Sequence, residues 1–198
     1  MNKEGKMKGS TIAWIVVAAV VLILILWIAG AYNNFVTLNQ NVNGAWSEVE
    51  NQYQRQADLI PNFVSTVSSQ VGVETKFVKD VVAARTAYMD AQSQLQKDTA
   101  GQQMSNGITA LVNAVSENYP VLQASEGYTA LRDELAGTQN RITTARGRYI
   151  DSIQAYNTAT MRFPSNIIAG MFGFAQKDYY QAANGSMNTP VLGNGTLP

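Results

Sequence analysis

Residues 12–31 read IAWIVVAAVVLILILWIAGA, twenty consecutive positions without a charged or strongly polar side chain. As an α-helix the run is about 30 Å long at 1.5 Å per residue, which is the thickness of a bilayer's hydrocarbon core. A helix that is apolar all round must be surrounded by apolar material. A globular core rarely needs an unbroken run of this length, so the stretch is read as a transmembrane helix beginning at Ile12. Trp14 and Trp27 stand near its two ends, where indole rings favour the lipid–water boundary.

A cleavable leader is the competing reading. Lys3, Lys6 and Lys8 precede the run, and Ala29-Gly30-Ala31 fits a small-x-small cleavage site. The apolar run is longer than the usual 7–15 residues of a leader, which favours retention as an anchor. Residues 1–11 carry three lysines and Glu4, whereas the first charges after the run are Glu48 and Glu50. The excess of positive charge before the run predicts a cytoplasmic N-terminus and an extracytoplasmic domain.

The remaining composition excludes several functions. Beyond the run stand 13 acidic and 11 basic side chains, no basic footprint for nucleic acid. Cysteine and histidine are both absent. No disulfide framework, thiolate site, serine–histidine triad or histidine-based zinc site can be built. No paired carboxylate spacing suggests acid–base or metal chemistry, so neither a catalytic residue nor a cofactor is expected.

The domain reads as all-α. Phe35, Leu38, Val42, Trp46, Val49, Tyr53, Ala57, Ile60, Val64, Val67 and Val71 recur every three or four residues, the period of a buried helical stripe. The phase continues through Pro61, which predicts one long helix over residues 32–71, kinked at the proline. A break with Pro61 opening a new helix is the alternative. Gly72 marks a stop. A second helix is predicted over residues 74–96, with Phe77, Val78, Val81, Val82, Arg85, Tyr88 and Leu95 on its stripe, and residues 97–105 read as a loop. A short third helix carries Met104, Ile108, Leu111, Val112 and Val115 and ends at Tyr119-Pro120. Ser125 is the expected N-cap of a fourth helix running to about Arg162, with the stripe Tyr128, Leu131, Leu135, Ile142, Ala145, Tyr149, Ile153 and Tyr156. These pieces predict an antiparallel four-helix bundle. The organisation is thus a basic tail (1–11), a membrane span (12–31), a helical bundle (32–163), an apolar membrane-proximal segment (164–181) and a Gly/Asn/Thr-rich flexible tail (182–198). The sequons at Asn184 and Asn194 are read as chance.

Arg85 and Arg146 share the frame Ala-Arg-x-x-Tyr, ending at Tyr88 and Tyr149. Each is expected to pair with Asp58 or Glu48 at a helix seam, with a ligand site as the rival reading. Asn33, Asn62 and Asn157 are amides near an apolar stripe that need hydrogen-bond partners, and they are expected to fix register within the bundle or to cap the Pro61 kink. Residues 163–174, FPSNIIAGMFGF, lack a clean helical phase. Helix lengths bring them back towards the bilayer, so Ile167, Ile168, Met171, Phe172 and Phe174 are expected to dip into the interface or pack on the anchor's emerging end near Trp27 and Tyr32, with capping the base of the bundle as the alternative.

Several motifs, in order, resemble the LemA family of membrane-anchored bacterial helical proteins. They are Tyr32-Asn33, Ala45-Trp46-Ser47, Arg55 with Asp58-Leu59-Ile60-Pro61-Asn62-Phe63-Val64, Tyr119-Pro120 with Ala124-Ser125, Asn140-Arg141-Ile142, Ala145-Arg146, Tyr156-Asn157, and Phe163-Pro164 through Phe172-Gly173-Phe174. The resemblance implies a four-helix bundle behind a membrane helix and brings no assigned enzymatic activity. Family genes often lie near membrane metalloproteases, which hints at an adaptor. Val73-Glu74, Gln139 and Ile150 depart from the family's customary His-Glu, Glu and Asn, which would weaken any binding feature those residues share. The function expected is therefore a non-enzymatic envelope scaffold or adaptor acting through protein–protein contact, with a self-assembling, membrane-shaping protein as the alternative and an enzyme using carboxylate, tyrosine and arginine side chains as the least favoured reading. Its expected partners are the bilayer around residues 12–31 and an unidentified envelope protein, a membrane protease or a second copy of the chain among the candidates. The candidate interaction residues are Trp46, Arg55, Asp58, Pro61, Asn62, Arg85, Arg146, Tyr156, Asn157, Phe172 and Phe174.

Overall fold

A computed structural model describes residues 9–71 and 76–178, and every regular element among them is helical. In chain order these are α1 (Gly9–Val71), α2 (Lys76–Asp90), α3 (Gln94–Asn118), α4 (Pro120–Gln123), α5 (Glu126–Met161) and α6 (Ser165–Phe172). The expected stop at Gly72, the start of the second helix at residue 74, the basic tail's lysines and the C-terminal tail lie outside the described residues.

The apolar run and the first domain helix are one element. α1 continues without interruption from the span through Pro61, as the unbroken phase predicts. Along the span the large apolar side chains from Ile12 to Trp27 are exposed, whereas Phe35, Val42, Val49, Tyr53, Ala57, Ile60, Phe63 and Val67 further along are buried. The buried stripe takes Phe63 where the periodicity offered Val64, and it includes the amide of Gln56.

The middle of the chain departs most from expectation. α2 ends at Asp90, and α3 occupies the stretch read as a loop. Ser93 starts α3 with a reciprocal cap: its hydroxyl accepts from the Gln96 N–H at 3.2 Å, and Gln96 Oε1 accepts from the Ser93 N–H at 3.1 Å. Such a pair satisfies two of the donors that a helix start leaves open. Gly101, taken as a loop marker, is a point of close approach. A Cβ there would stand 2.7 Å from the Tyr53 ring, so only glycine lets α3 lie this close to α1. Leu95, placed on the second helix's stripe, is exposed one residue into α3. Ser125 is also corrected: its carbonyl accepts from Thr129 at the start of α5, but its buried hydroxyl makes no cap bond.

The described residues divide into two compact units, 9–43 with 151–178 and 44–71 with 76–150. The second unit holds the larger core, where Ile60 and Phe63 of α1, Val81 and Tyr88 of α2, Met104 and Leu111 of α3, and Tyr128 and Ile142 of α5 are buried. A polar ladder crosses that interior: Ser105 Oγ donates to Gln56 Oε1 at 2.8 Å, and Gln56 Nε2 donates to Gln139 Oε1 at 3.1 Å. A buried amide with both ends matched fixes helix register, because a shift would leave it unpaired.

The first unit joins the emerging end of α1 to α5's last turns and α6. The segment expected to lack helical phase forms α6, which ends at Gly173 with φ +75°. That left-handed conformation favours glycine and lets the Phe174 N–H donate to Ala169 O at 2.9 Å.

Candidate functional site

In the first unit, Phe35, Ile168 and Ala169 form a buried cluster against which Ile28, Ala31, Ala159 and Phe174 pack. The Phe35 and Phe174 rings stack with centroids 5.0 Å apart. Tyr32 meets Phe172 at 5.0 Å and Phe174 at 5.6 Å, both edge-on. Contacts of this kind add about 0.5–1.5 kcal/mol per pair beyond area burial. The packing of residues 163–174 on the end of the apolar run near Tyr32 is therefore observed. Ile28 and Ala31 are the run's contact residues there, with Trp27 one position away.

Asn157 holds the chain that follows. Its side chain is buried, and its amide pairs with the backbone of one residue through both ends, donating to Lys177 O at 2.7 Å and accepting from the Lys177 N–H at 2.8 Å. Lys177 Nζ lies 5.5 Å from the centroid of the Tyr156 ring. Burial pushes the Tyr156 hydroxyl above its usual pKa.

Pro61 and Arg85 are joined in the second unit. A proline inside a helix has no N–H for the carbonyl four residues earlier, here that of Ala57. Arg85 Nε donates to Ala57 O at 2.9 Å. The guanidinium supplies the hydrogen bond that the proline removes, so its partner is neither of the carboxylates expected for it. Those carboxylates are bonded within α1: Gln54 Nε2 donates to Asp58 Oδ1 at 2.8 Å, and Gln52 Nε2 to Glu48 Oε1 at 3.3 Å. The expectation for Arg85 missed the backbone acceptor, although Pro61 was itself the signal for one.

The other candidates are dispersed. Trp46 packs on Tyr149 at 5.4 Å between ring centroids, and Gln94 Nε2 donates to the Tyr149 hydroxyl. Arg146 is half-buried on α5. Arg55 pairs with Glu134 at 2.6 Å, and Arg141 reaches the same oxygen at 3.3 Å. The Arg55 guanidinium holds the Glu134 carboxyl below its usual pKa. Asp58, Pro61 and Asn62 are exposed on α1. Tyr88 donates to Glu50 O at 3.2 Å, and burial, followed by the Glu50 charge, raises its pKa strongly. Among the described residues no group of three or more Asp and Glu side chains could hold a metal ion.

Comparison with known proteins finds relatives named as magnetosome proteins. Magnetosome protein MamQ 2 of Paramagnetospirillum magneticum (strain AMB-1) is 25% identical over 195 residues, covering 84% of this chain and 72% of that protein. Magnetosome protein MamQ of Magnetospirillum gryphiswaldense (strain MSR-1) is 23% identical over 186 residues, covering 81% of this chain and 68% of its own length. The described residues contain one helix apolar and long enough to cross a bilayer, so the protein is membrane-associated through a single span. The LemA family matches residues 45–192, and the chain belongs to that family.

Proposed function

We propose that this protein is a non-enzymatic, membrane-anchored helical scaffold or adaptor of the bacterial envelope, standing in the cytoplasmic membrane with its N-terminus inside and its helical domain outside. One observation carries the reading: α1 is at once the membrane span and the element that supplies the domain's buried stripe. Charge before the span supports the orientation. The relatives, named as magnetosome proteins, are consistent with work inside a membrane-bound assembly.

The contact face we favour is on α1. Arg55, Asp58 and Asn62 follow one another at steps of three and four and are all exposed, so they share one side of the helix. A photo-crosslinking amino acid placed at Asp58 or Asn62 of the full chain in native membranes tests it. A discrete heterologous adduct at both positions, and none at exposed Val121, is the expected result. An adduct between two copies of the chain would favour the self-assembling alternative, and adducts indifferent to position would overturn both. The orientation has its own check: protease added to intact spheroplasts should digest the domain, and complete protection until lysis would reverse the topology.

A further inference from the structure

Helix α6 divides its apolar side chains between two sides. Ile168 and Ala169 are buried on Phe35. Phe163, Ile167, Met171 and Phe172 are 77%, 53%, 69% and 49% exposed. Ile167 and Met171 are one turn apart and form an outward face, whereas Phe172 falls between Ile168 and Ala169 on the side that meets Tyr32. A contiguous apolar face of this kind calls for a cover.

Position identifies the cover. Phe172 lines one hollow of about 430 Å³ with Ile25, Ile28, Ala29, Tyr32 and Asn33. Ile25 stands six residues before the end of the apolar run at Ala31, about 9 Å along the helix. The Phe172 ring therefore lies beside a stretch of α1 that the bilayer itself surrounds. The hollow's polar groups come from Tyr32 and Asn33, just beyond the run. Arg162, exposed at the start of the turn into α6, has a stem long enough to keep its charge among lipid phosphates while neighbouring residues sit deeper.

We infer that α6 is an interfacial helix. Its outward face, carrying Ile167 and Met171, is immersed at the acyl–headgroup boundary of the leaflet from which α1 emerges, while Ile168, Ala169 and Phe172 hold it to α1. The chain then meets the bilayer twice, once by spanning it and once by lying in it, as short amphipathic helices do. The inference is independent of the adaptor reading, since it concerns lipid and not a protein partner.

Because the chain contains no cysteine, single nitroxide labels can be placed in the full-length protein without altering any native residue elsewhere. Ile167→Cys and Met171→Cys are labelled after reconstitution into phosphatidylcholine–phosphatidylglycerol vesicles, and collisions with oxygen are compared with collisions with a water-soluble nickel complex. Leu22→Cys serves as the span control, and exposed Leu95→Cys and Val121→Cys as water controls. The expected result is a shift of both α6 labels from the Leu95 and Val121 values towards that of Leu22, with Met171 and Ile167 alike. Values matching the water controls overturn the inference. Labels shielded from both collision partners also overturn it, because the face would then be covered by protein.

Discussion

At the scale of single residues, the structure turns on places where a small change meets an unyielding neighbour. Gly101 faces the Tyr53 ring with no room for a methyl group. Gly101→Ala is expected to lower stability by about 1–3 kcal/mol, the usual cost of overpacking. Gly147→Ala, where a Cβ meets nothing within 4 Å, is expected to stabilise by up to about 1 kcal/mol through the helix preference of alanine. Thermal melting of the two variants side by side checks both signs, and equal shifts would refute the contact. Asn157 is the second such place. Asn157→Ala removes both bonds to the Lys177 backbone and leaves its N–H and carbonyl without them, a cost of about 1–3 kcal/mol. The loss should appear as faster proteolysis of the chain after Phe174, beyond any change in melting. The pairing role of Asn157 was visible in the sequence as an amide beside an apolar stripe, but its partner, twenty residues away in the chain, carries no side-chain signal because it is a backbone unit.

Among elements, α1 and α3 show opposite relations between pattern and outcome. The heptad phase of α1 could be followed through Pro61 because burial repeats on both sides of it, and the helix does continue. α3 was hidden by composition: residues 97–105 are polar and contain a glycine, and both features usually mark loops. The stronger signal was the Ser93-x-x-Gln96 box at its start, a local motif with a defined hydrogen-bond pattern. Residues 163–174 show no clean helical phase, yet an eight-residue helix forms where Gly173 ends it and Phe35 receives its inner side. The prediction at this scale concerns α1 and α2 together. Removing the proline restores an N–H for Ala57 O, so Arg85→Ala should be costly in the parent chain and far less so alongside Pro61→Ala. A double-mutant cycle on unfolding free energies is expected to give a coupling of about 0.5–3 kcal/mol. A coupling near zero would mean that Arg85 stabilises the chain by some other contact.

For the molecule as a whole, burial of tyrosines sets an alkaline limit. Burial raises the pKa of Tyr88, Tyr128, Tyr149 and Tyr156 above the ordinary value of 10.0. A group whose pKa is higher folded than unfolded contributes stability in full below its unfolded value and loses it as pH climbs towards the folded one. The melting temperature should therefore be insensitive to these groups up to pH about 10 and fall above it. Tyr88→Phe, which removes the most strongly shifted hydroxyl, should make that fall shallower. An unchanged alkaline slope in the variant would show that ionisation elsewhere controls the transition. The span, the helical class and the family motifs were all legible in the sequence, since each is written in local hydropathy or residue order. The meeting of α6 with α1, whose contacts join residues some 140 positions apart, was legible only by adding up helix lengths, since no local pattern records it.

The bond from Arg85 to Ala57 also constrains descent. A lineage that keeps the proline cannot lose the arginine without stranding a buried carbonyl, whereas one that first loses the proline is released from that requirement. Changes at these two positions are thus ordered: position 61 opens the way for position 85, and the reverse route passes through a weakened intermediate.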